Sequence, residues 1–374
     1  MMDNVFVVAD NITSPLGHTA AQNFQQLIKG NSGVKQHNDA ERSPSPFYAS
    51  LFLQDQFIAN DNHTKFEQLL IASVADALAN CDVDAMDKKT VLIISTTKGN
   101  ISMLETAGDD PDLADRIALH TSAKIVAENF GFVNQPLIVS HACISGLVAL
   151  ITGLRLLQTG QYENAVVVGA DVITRFVLSG FQSFQAISTA PCKPFDATRD
   201  GINLGEGAGA VIISSNPKYA GNIKLAGGSI SNDANHISGP SKTGEELFYA
   251  MEAALKSAGL SSGEIDFISA HGTATAYNDE MEAKAINLAG MQNIPVNSLK
   301  GYYGHTLGAS GLIEAVIAIH SLKQNTIIPT KGFSALGVTQ PINVAAQLIE
   351  TTLTNCLKTA SGFGGCNAAI ILIK

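Results

Sequence analysis

The segment SGLVALITGLRLL, residues 145–157, repeats as SGLIEAVIAIHSL, residues 310–322, at an offset of 165 residues. Both copies begin with Ser-Gly-Leu, and later apolar residues coincide: Val148 with Ile313, Ile151 with Val316, Leu154 with Ile319, and Leu157 with Leu322. Two unrelated amphipathic helices can agree in this way by chance, because both place apolar residues at helical spacing. Each copy also follows a short strand-like run and a polar turn, so we interpret the pair as an internal duplication.

A duplication predicts two related halves, which we place at residues 1–216 and 217–374. Equivalent strand-to-helix turns would then face each other across a pseudo-twofold axis. The turn before the first copy carries Cys143, and the turn before the second carries His305. Both turns are therefore predicted to deliver side chains to one central site.

The rest of the chain has the pattern of an α/β fold. Short β-branched runs, such as VFVVAD, TVLIIS, AVVVGA and AAIILI, alternate with segments of helical periodicity at 66–81, 123–132 and 245–260. Alternation of this kind is typical of α/β proteins with mainly parallel sheets. No Pro-rich, Ser-rich or highly charged linker separates two independent domains.

Composition excludes several functional classes. The net charge is −10 without a basic cluster, which gives a nucleic-acid surface no electrostatic support. The five cysteines are odd in number and form no C-x-x-C pair, so neither a disulfide framework nor a structural zinc site is expected. The longest apolar stretch, 144–157, is interrupted by Thr152 and Arg155, and the segment MMDNVFVVAD has neither the positive region nor the long apolar region of an export signal. We expect a cytoplasmic protein that does not enter the membrane.

Cys143 stands between the strand-like run PLIVS and the first repeat helix, which is predicted to begin near Ile144 or Ser145. Free amides and the dipole at a helix N-terminus stabilise an anion, so this position predicts a lowered thiol pKa and a nucleophilic cysteine. Free cysteines are more often small buried residues, and that interpretation is kept for Cys81, Cys192 and Cys356.

Three further motifs offer the groups that such a nucleophile needs. His271 ends a strand-like run in ISAHGTATAYNDEMEA, whereas Lys300 and His305 lie in the Gly-rich loop NSLKGYYGHTLGA. Imidazoles at strand-to-helix junctions are candidates for proton transfer and for carbonyl polarisation. The Gly-rich turn in ASGFGGCNAAIIL permits close backbone approach, so an amide there is a candidate oxyanion-hole donor.

Taken together, the motifs resemble those of the β-ketoacyl synthases, condensing enzymes of the thiolase-like superfamily. The resemblance covers nearly the whole chain in the family's order: ITSPLGHTAAQNFQQLIKGNSGV, HACISG, KPFDATRDGINLGEGAGAVII, AHGTATAYNDEMEA, LKGYYGHTLGASGLIEA and SGFGGCNAAIIL. It implies a thiolase-like α/β fold with two duplicated halves in an αβαβα layered core. It also implies decarboxylative Claisen condensation, without a metal or an organic cofactor, in fatty-acid, polyketide or polyene-type biosynthesis.

Catalytic roles follow from the resemblance position by position. Cys143 would be acylated by a carrier-bound chain. His271 and His305 would hydrogen-bond the extender's thioester carbonyl, promote loss of CO2 and stabilise the enolate. The amides of Cys143 and Phe363 match the family's oxyanion hole.

The resemblance also implies supporting roles around these groups. The ring of Phe363 matches a gate, and Thr273 and Thr275 match positions that contact the pantetheine arm. Lys300 and Glu314 match a supporting charged pair. The partners implied are an acyl carrier protein with phosphopantetheine-bound acyl and malonyl groups, and a second subunit, either a copy of this chain or a related synthase.

Two alternatives remain open at this point. A thiolase-type acyltransferase would use coenzyme A thioesters and a second cysteine as base, for which Cys356 and Cys366 are available. A chain-length-controlling subunit would resemble a synthase but shape the tunnel of a heterodimer, although such subunits typically lack the nucleophile. His141, Ser361 and Cys366 depart from the family's usual residues, which leaves the acyl pocket and the preferred chain length open.

Overall fold

A computed structural model describes residues 4–53, 63–106, 108, 111–233 and 239–374. Its strands are β1 Phe6–Thr13, β2 Val34–His37, β3 Phe47–Ser50, β4 Thr90–Ser95, β5 Leu137–Val139, β6 Asn164–Asp171, β7 Leu204–Gly205, β8 Gly207–Ser214, β9 Lys224–Asn232, β10 Phe267–Ser269, β11 Pro295–Asn297, β12 Thr326–Ile327, β13 Asn343–Val344, β14 Ile349–Glu350, β15 Asn355–Gly362 and β16 Cys366–Ile373. Its α-helices are α1 Ala20–Ile28, α2 Lys65–Ala79, α3 Leu113–Arg116, α4 Leu119–Phe130, α5 Ser145–Gln158, α6 Arg175–Ser183, α7 Glu245–Ala258, α8 Ala276–Leu288, α9 Lys300–Tyr303 and α10 Ser310–Gln324. No helix within these ranges is both long enough and apolar enough to span a membrane.

The main sheet consists of two halves with matching strand order. Strands β5-β4-β6-β8-β1 form one half, strands β11-β10-β15-β16-β9 form the other, and β13 extends the second beyond β11. The halves meet where β1 pairs with β9 at Phe6 and Lys224. This correspondence supports the duplication, while the boundary between residues 216 and 217 stays a prediction.

The strand directions correct the prediction of mainly parallel sheets. β4 pairs in parallel with β5 and β6, and β10 pairs in parallel with β11 and β15. In contrast, β8 is antiparallel to β6 and β1, and β16 is antiparallel to β15 and β9. Helices cover both faces of these strands, so antiparallel strands also read as continuous apolar runs, and the sequence pattern cannot distinguish the two directions.

Five layers result from the way the helices pack. α5 and α10 contact each other and lie between the two half-sheets, each touching strands of both. α2 and α4 pack on the outer face of the first half, where they form an apolar cluster with β4, β6 and β8. α7 and α8 do the same on the second half with β10, β15 and β16. The predicted αβαβα order is confirmed.

The repeated Ser-Gly-Leu explains how the central helices approach. A methyl group on Gly146 would lie 2.8 Å from the backbone nitrogen of Leu312, and one on Gly311 would lie 2.8 Å from Cγ of Leu147. These contacts are equivalent under the repeat, because Gly146 corresponds to Gly311 and Leu147 to Leu312. Glycine at both positions therefore allows the two helix N-termini, and the turns before them, to come together.

Gly146→Ala is expected to destabilise the protein by about 1 to 3 kcal/mol, the usual cost of overpacking a core. The added methyl group would press on the Leu312 backbone, which cannot rotate away. Gly180→Ala in α6 is the matched control, since nothing lies within 4 Å of the added methyl group. That control should gain about 0.5 to 1 kcal/mol from helix propensity. Chemical denaturation measures both variants, and equal stabilities would contradict the close approach of the central helices.

Candidate active site

Cys143 occupies a tight turn between β5 and α5. Ala142, immediately before it, has a positive φ of 45°. Ser145 holds this conformation, because its Oγ accepts from the His141 amide at 2.8 Å and donates to the Ala142 carbonyl at 2.6 Å. α5 begins at Ser145, as predicted, so the sulfur lies at the N-terminal end of a central helix.

The C-terminal Gly-rich turn lies directly against this cysteine. A methyl group on Gly362 would lie 2.9 Å from the Cys143 nitrogen, so only glycine allows β15 to come this close. The next amide, that of Phe363, is close enough to the Cys143 sulfur to favour its thiolate form and so to lower its pKa. The structure therefore brings together the two residues whose amides were predicted to form an oxyanion hole.

Burial is the largest influence on the pKa of the Cys143 thiol. Cys143 is 7% exposed, and loss of solvent raises the pKa of its thiol to about 11. The charges of Lys98 and Lys300 and the Phe363 amide oppose this shift without reversing it. The prediction of a lowered pKa from the helix N-terminus is therefore wrong for the resting thiol, because desolvation of a buried thiolate outweighs the nearby positive charges.

His271 and His305 meet edge to face, with ring centroids 5.1 Å apart and an interplanar angle of 82°. The charges of Lys98 and Lys300 act on both His305 and Cys143, so the rings belong to the same region as the cysteine. Nδ1 of His305 accepts a hydrogen bond from the Leu307 amide at 3.3 Å, which leaves the proton of the neutral ring on Nε2. Burial first, and then the charge of Lys300, lower the pKa of both imidazoles well below the ordinary value of 6.5. Both rings are therefore neutral at neutral pH and can donate a hydrogen bond without carrying charge.

Part of the motif GINLGEGAG positions His305. The His305 amide donates to the Asn203 carbonyl at 2.7 Å, and the Gly205 amide donates to the His305 carbonyl at 3.0 Å. A methyl group on Gly205 would lie only 1.8 Å from the Tyr303 carbonyl oxygen. Gly205 therefore allows two backbone segments to come into close contact. The motif does not have the order G-x-x-x-x-G-K-[ST] of a phosphate-binding loop.

A buried charge cluster lies behind the histidines. Lys300 forms the predicted ion pair with Glu314, and its Nζ also donates to the His271 carbonyl at 3.0 Å. Lys358 was not predicted, yet its Nζ lies 2.8 Å from the second carboxylate oxygen of Glu314. All three side chains are at most 4% exposed. β15 reads NCLKTASG, so Lys358 stands among polar and small residues and nothing nearby in the sequence indicates its role.

The two predicted pantetheine-contacting threonines are adjacent in space. Their hydroxyl oxygens lie 2.9 Å apart. Thr275 also accepts from the Asn278 amide and thereby caps α8, and the Thr273 amide donates to buried Asp279 at 2.9 Å. Both hydroxyls thus stand on a rigid turn directly after His271, while their contact with a pantetheine arm stays a prediction.

Phe363 forms an aromatic cluster that the sequence analysis did not anticipate. Its ring stacks on Phe181 at 5.7 Å and meets Phe184 edge to face at 5.5 Å. Phe363 is 38% exposed, whereas the cysteine beneath its amide is buried. The role of this ring as a gate stays a prediction. The spacing of Phe181 and Phe184, three residues apart at the end of α6, is the signal that was overlooked.

The residues that depart from the family pattern have structural contacts. Ser361 Oγ donates to Asn367 Oδ1 at 2.7 Å, linking β15 to β16. Cys366 Sγ donates to the Phe363 carbonyl at 3.2 Å and therefore belongs to the same turn as Phe363. His141 is exposed, and nothing in the structure explains why a histidine stands there.

Comparisons with known proteins identify the family of the chain. Residues 2–218 match the family model "Beta-ketoacyl synthase, N-terminal domain", and residues 223–334 match "Beta-ketoacyl synthase, C-terminal domain". A 3-oxoacyl-[acyl-carrier-protein] synthase 2 of Vibrio cholerae is 28% identical over 407 residues, covering 98% of each chain.

Solved structures show the same fold over the full length. A chain of the ishigamide ketosynthase/chain length factor is 26% identical, with a TM-score of 0.90 and complete coverage of both chains. A chain from a ketosynthase in complex with its chain length factor from Xenorhabdus doucetiae is 25% identical, with a TM-score of 0.87 and coverage of 99% of this chain and 98% of the other. The fold is thiolase-like, and the chain belongs to the β-ketoacyl synthase family of carbon–carbon bond-forming acyltransferases.

Proposed function

We propose that this chain catalyses decarboxylative Claisen condensation between an acyl group on Cys143 and a malonyl-type extender on an acyl carrier protein. One observation carries the proposal: the Gly-rich turn with Phe363 packs directly on Cys143, and Lys98 and Lys300 act on both this cysteine and His305, whose neutral, buried ring lies 5.1 Å from that of His271. Nucleophile, oxyanion donor and carbonyl-polarising groups thereby converge from both halves of the chain.

The first step is transfer of the acyl group. The Cys143 thiol gives up its proton as the sulfur attacks the thioester carbonyl, and the carrier's pantetheine sulfur leaves with a proton. The amides of Cys143 and Phe363 stabilise the negative oxygen of the tetrahedral intermediate. Because the resting thiol has a raised pKa, its proton is lost during attack rather than beforehand.

The second step creates and uses a carbon nucleophile. The imidazoles of His271 and His305 donate hydrogen bonds to the malonyl thioester carbonyl, and the bond to the carboxylate breaks with release of CO2. The electron pair remains on the resulting enolate, which the same donors stabilise. The enolate attacks the acyl carbonyl, the bond to Cys143 breaks, the sulfur regains a proton, and the chain is longer by two carbons.

The proposed partners follow from the family and from the relatives. The name of the Vibrio cholerae relative includes acyl carrier protein, and the Xenorhabdus structure is a ketosynthase in complex with its chain length factor. We propose an acyl carrier protein as the substrate donor and a dimer with a second copy or a related synthase subunit. All five cysteines are free, which agrees with a reducing cytoplasm as the proposed location.

The direct test supplies the purified chain with an acyl carrier protein charged with acyl and malonyl groups and follows the products by mass spectrometry. We expect a β-ketoacyl carrier product together with CO2. Acylation of Cys143 without condensation would favour a chain-length-controlling subunit instead. Condensation of coenzyme A thioesters without CO2 release would favour a thiolase-type acyltransferase.

Cys366→Ser distinguishes the synthase from a thiolase that uses a second cysteine as base. Burial raises the pKa of the Cys366 thiol to about 12, and the thiol already donates a hydrogen bond to the Phe363 carbonyl. We therefore expect acylation of Cys143 and condensation within about 3-fold of the unchanged chain, the range of a conservative substitution outside the chemistry. Loss of condensation with intact loading would assign Cys366 a proton-transfer role and contradict this expectation.

A further inference from the structure

We propose that Lys358 is a positioning residue for decarboxylation, which holds the backbone carrying His271 and completes the charge cluster around Glu314. This inference rests on the proposed function and adds to it a residue that no sequence motif indicated. Lys358 contacts neither reacting group in the structure. Its effect would pass through Glu314 and through the backbone at the end of β10.

The side-chain hydrogen bonds of Lys358 connect β15 with the residues that immediately precede His271. The side chain is fully buried in β15, and its Nζ donates to the carbonyls of Ser269 at 3.2 Å, Ala270 at 3.3 Å and Thr359 at 2.5 Å. An ammonium in the protein interior is costly unless it is paired and fully hydrogen-bonded. These contacts satisfy that requirement while fixing the two residues immediately before His271.

Lys300 completes the arrangement from the other side. It holds the His271 carbonyl at 3.0 Å, so the two lysines together hold three successive carbonyls, those of residues 269, 270 and 271. Glu314 joins the two lysines, because its Oε1 contacts Nζ of Lys300 and its Oε2 contacts Nζ of Lys358. On the amide side, Glu282 accepts from the His271 and Gly272 amides at 2.8 and 2.6 Å.

The His271 ring depends on this backbone support. Among the described residues, its buried Nδ1 has no hydrogen-bond partner that would orient the imidazole. His305, in contrast, is oriented through Nδ1 by the Leu307 amide. The direction of the His271 ring therefore comes from packing and from its main chain, and an error of about 1 Å in such a group can cost about 100-fold in rate.

Charge supplies a second effect that an inert structural residue would not have. Lys300, Lys358 and Glu314 together carry one net positive charge beside the imidazoles. Removing Lys358 removes that excess, which raises the pKa of both rings. Among the described residues, the other charged groups that act here are Lys98, which lowers the pKa of His305, and Glu282, which accepts from the His271 amide.

The test compares Lys358→Met with the unchanged chain in two separate assays. Loading of Cys143 is followed by intact-protein mass spectrometry, and decarboxylation by conversion of malonyl carrier protein to acetyl carrier protein. We expect loading within about 3-fold and decarboxylation lowered between about 10- and 100-fold. The acidic limb of the decarboxylation profile should also move to higher pH. Decarboxylation within 2-fold of the unchanged chain, equal loss in both assays, or an unmoved acidic limb would overturn the proposal.

The double variant Lys358→Met/Glu314→Gln separates position from charge and guards against misfolding. It restores the net charge of the cluster and leaves no buried carboxylate short of a partner. Its acidic limb should return toward that of the unchanged chain while decarboxylation stays low. If neither variant folds, Lys358 is required for the fold itself and the proposal is overturned.

Histidine NMR gives a readout that does not depend on turnover. The chain labelled with ¹³C at histidine Cε1 should show raised pKa values for His271 and His305 in Lys358→Met. Lys65→Met is the matched control, because it removes another lysine paired with a buried carboxylate, that of Glu206, outside this cluster. If Lys358→Met shows the raised histidine pKa values but the unchanged chain has no turnover, the proposed function is rejected. The electrostatic role of Lys358 is then kept. Unchanged titration in an active enzyme would reject the role of Lys358 alone.

Discussion

Cys143→Ala is expected to abolish covalent loading by an acyl carrier protein and, with it, all condensation. Cys143 lies just before the N-terminus of α5, where the Phe363 amide and the charges of Lys98 and Lys300 favour its thiolate. Removing the nucleophile of a covalent mechanism leaves no group to accept the acyl chain. Intact-protein mass spectrometry should show the acyl mass on the unchanged chain and none on the variant.

Matched controls for this variant are other cysteines of the same chain. Cys192 and Cys356 are as buried as Cys143, but neither lies at a helix N-terminus that faces the Gly-rich turn. Cys192→Ala and Cys356→Ala should therefore load normally, if both variants fold. Acyl mass that persists on Cys143→Ala, mapped by peptide digestion to another cysteine, would move the nucleophile and defeat the proposed mechanism.

His305→Asn is expected to impair decarboxylation far more than loading. The neutral His305 ring carries its proton on Nε2, because Nδ1 accepts from the Leu307 amide. An asparagine is shorter and cannot keep both contacts. Loss of one preorganised donor at a developing oxyanion typically costs about 100- to 1,000-fold in rate. Loading needs only the cysteine and the oxyanion amides, so we expect it within about 5-fold.

The measurement separates the two half-reactions. Acyl transfer to Cys143 is timed by quenched mass spectrometry, and decarboxylation by the appearance of acetyl carrier protein. His320→Asn is the control, since His320 bonds Asp10 at 2.7 Å in an ion pair outside the site. Equal losses of loading and decarboxylation in His305→Asn would show that the histidine serves both steps and would contradict this division of labour.

Several features of the site were accessible from the sequence because they are encoded locally. The order of the motifs around Cys143, His271 and His305 identifies the family, and the Ser-Gly-Leu repeat predicts that two equivalent turns meet. The structure gives that repeat a physical reason, since only glycine at 146 and 311 lets the central helices approach. The Lys300–Glu314 pair was likewise found through its motif.

Other features depend on residues far apart in the chain and had no local signal. Lys358 is 44 positions from Glu314, and an isolated lysine in a strand is ordinarily an exposed residue on the strand's outer face. The aromatic contacts of Phe363 come from α6, almost half the chain away. Strand direction was mistaken because helices bury both faces of antiparallel and parallel strands alike.

The sequence by itself determined the strand and helix segments, the duplication, the family and the candidates for the reacting groups, because periodicity and motif order are properties of neighbouring residues. Only the tertiary structure decided how those groups behave. The Cys143 thiol has a raised pKa, the imidazoles are neutral, and Lys358 pairs with Glu314. Desolvation and the distances between charges depend on how the two halves pack around the site, and no short stretch of sequence carries that information.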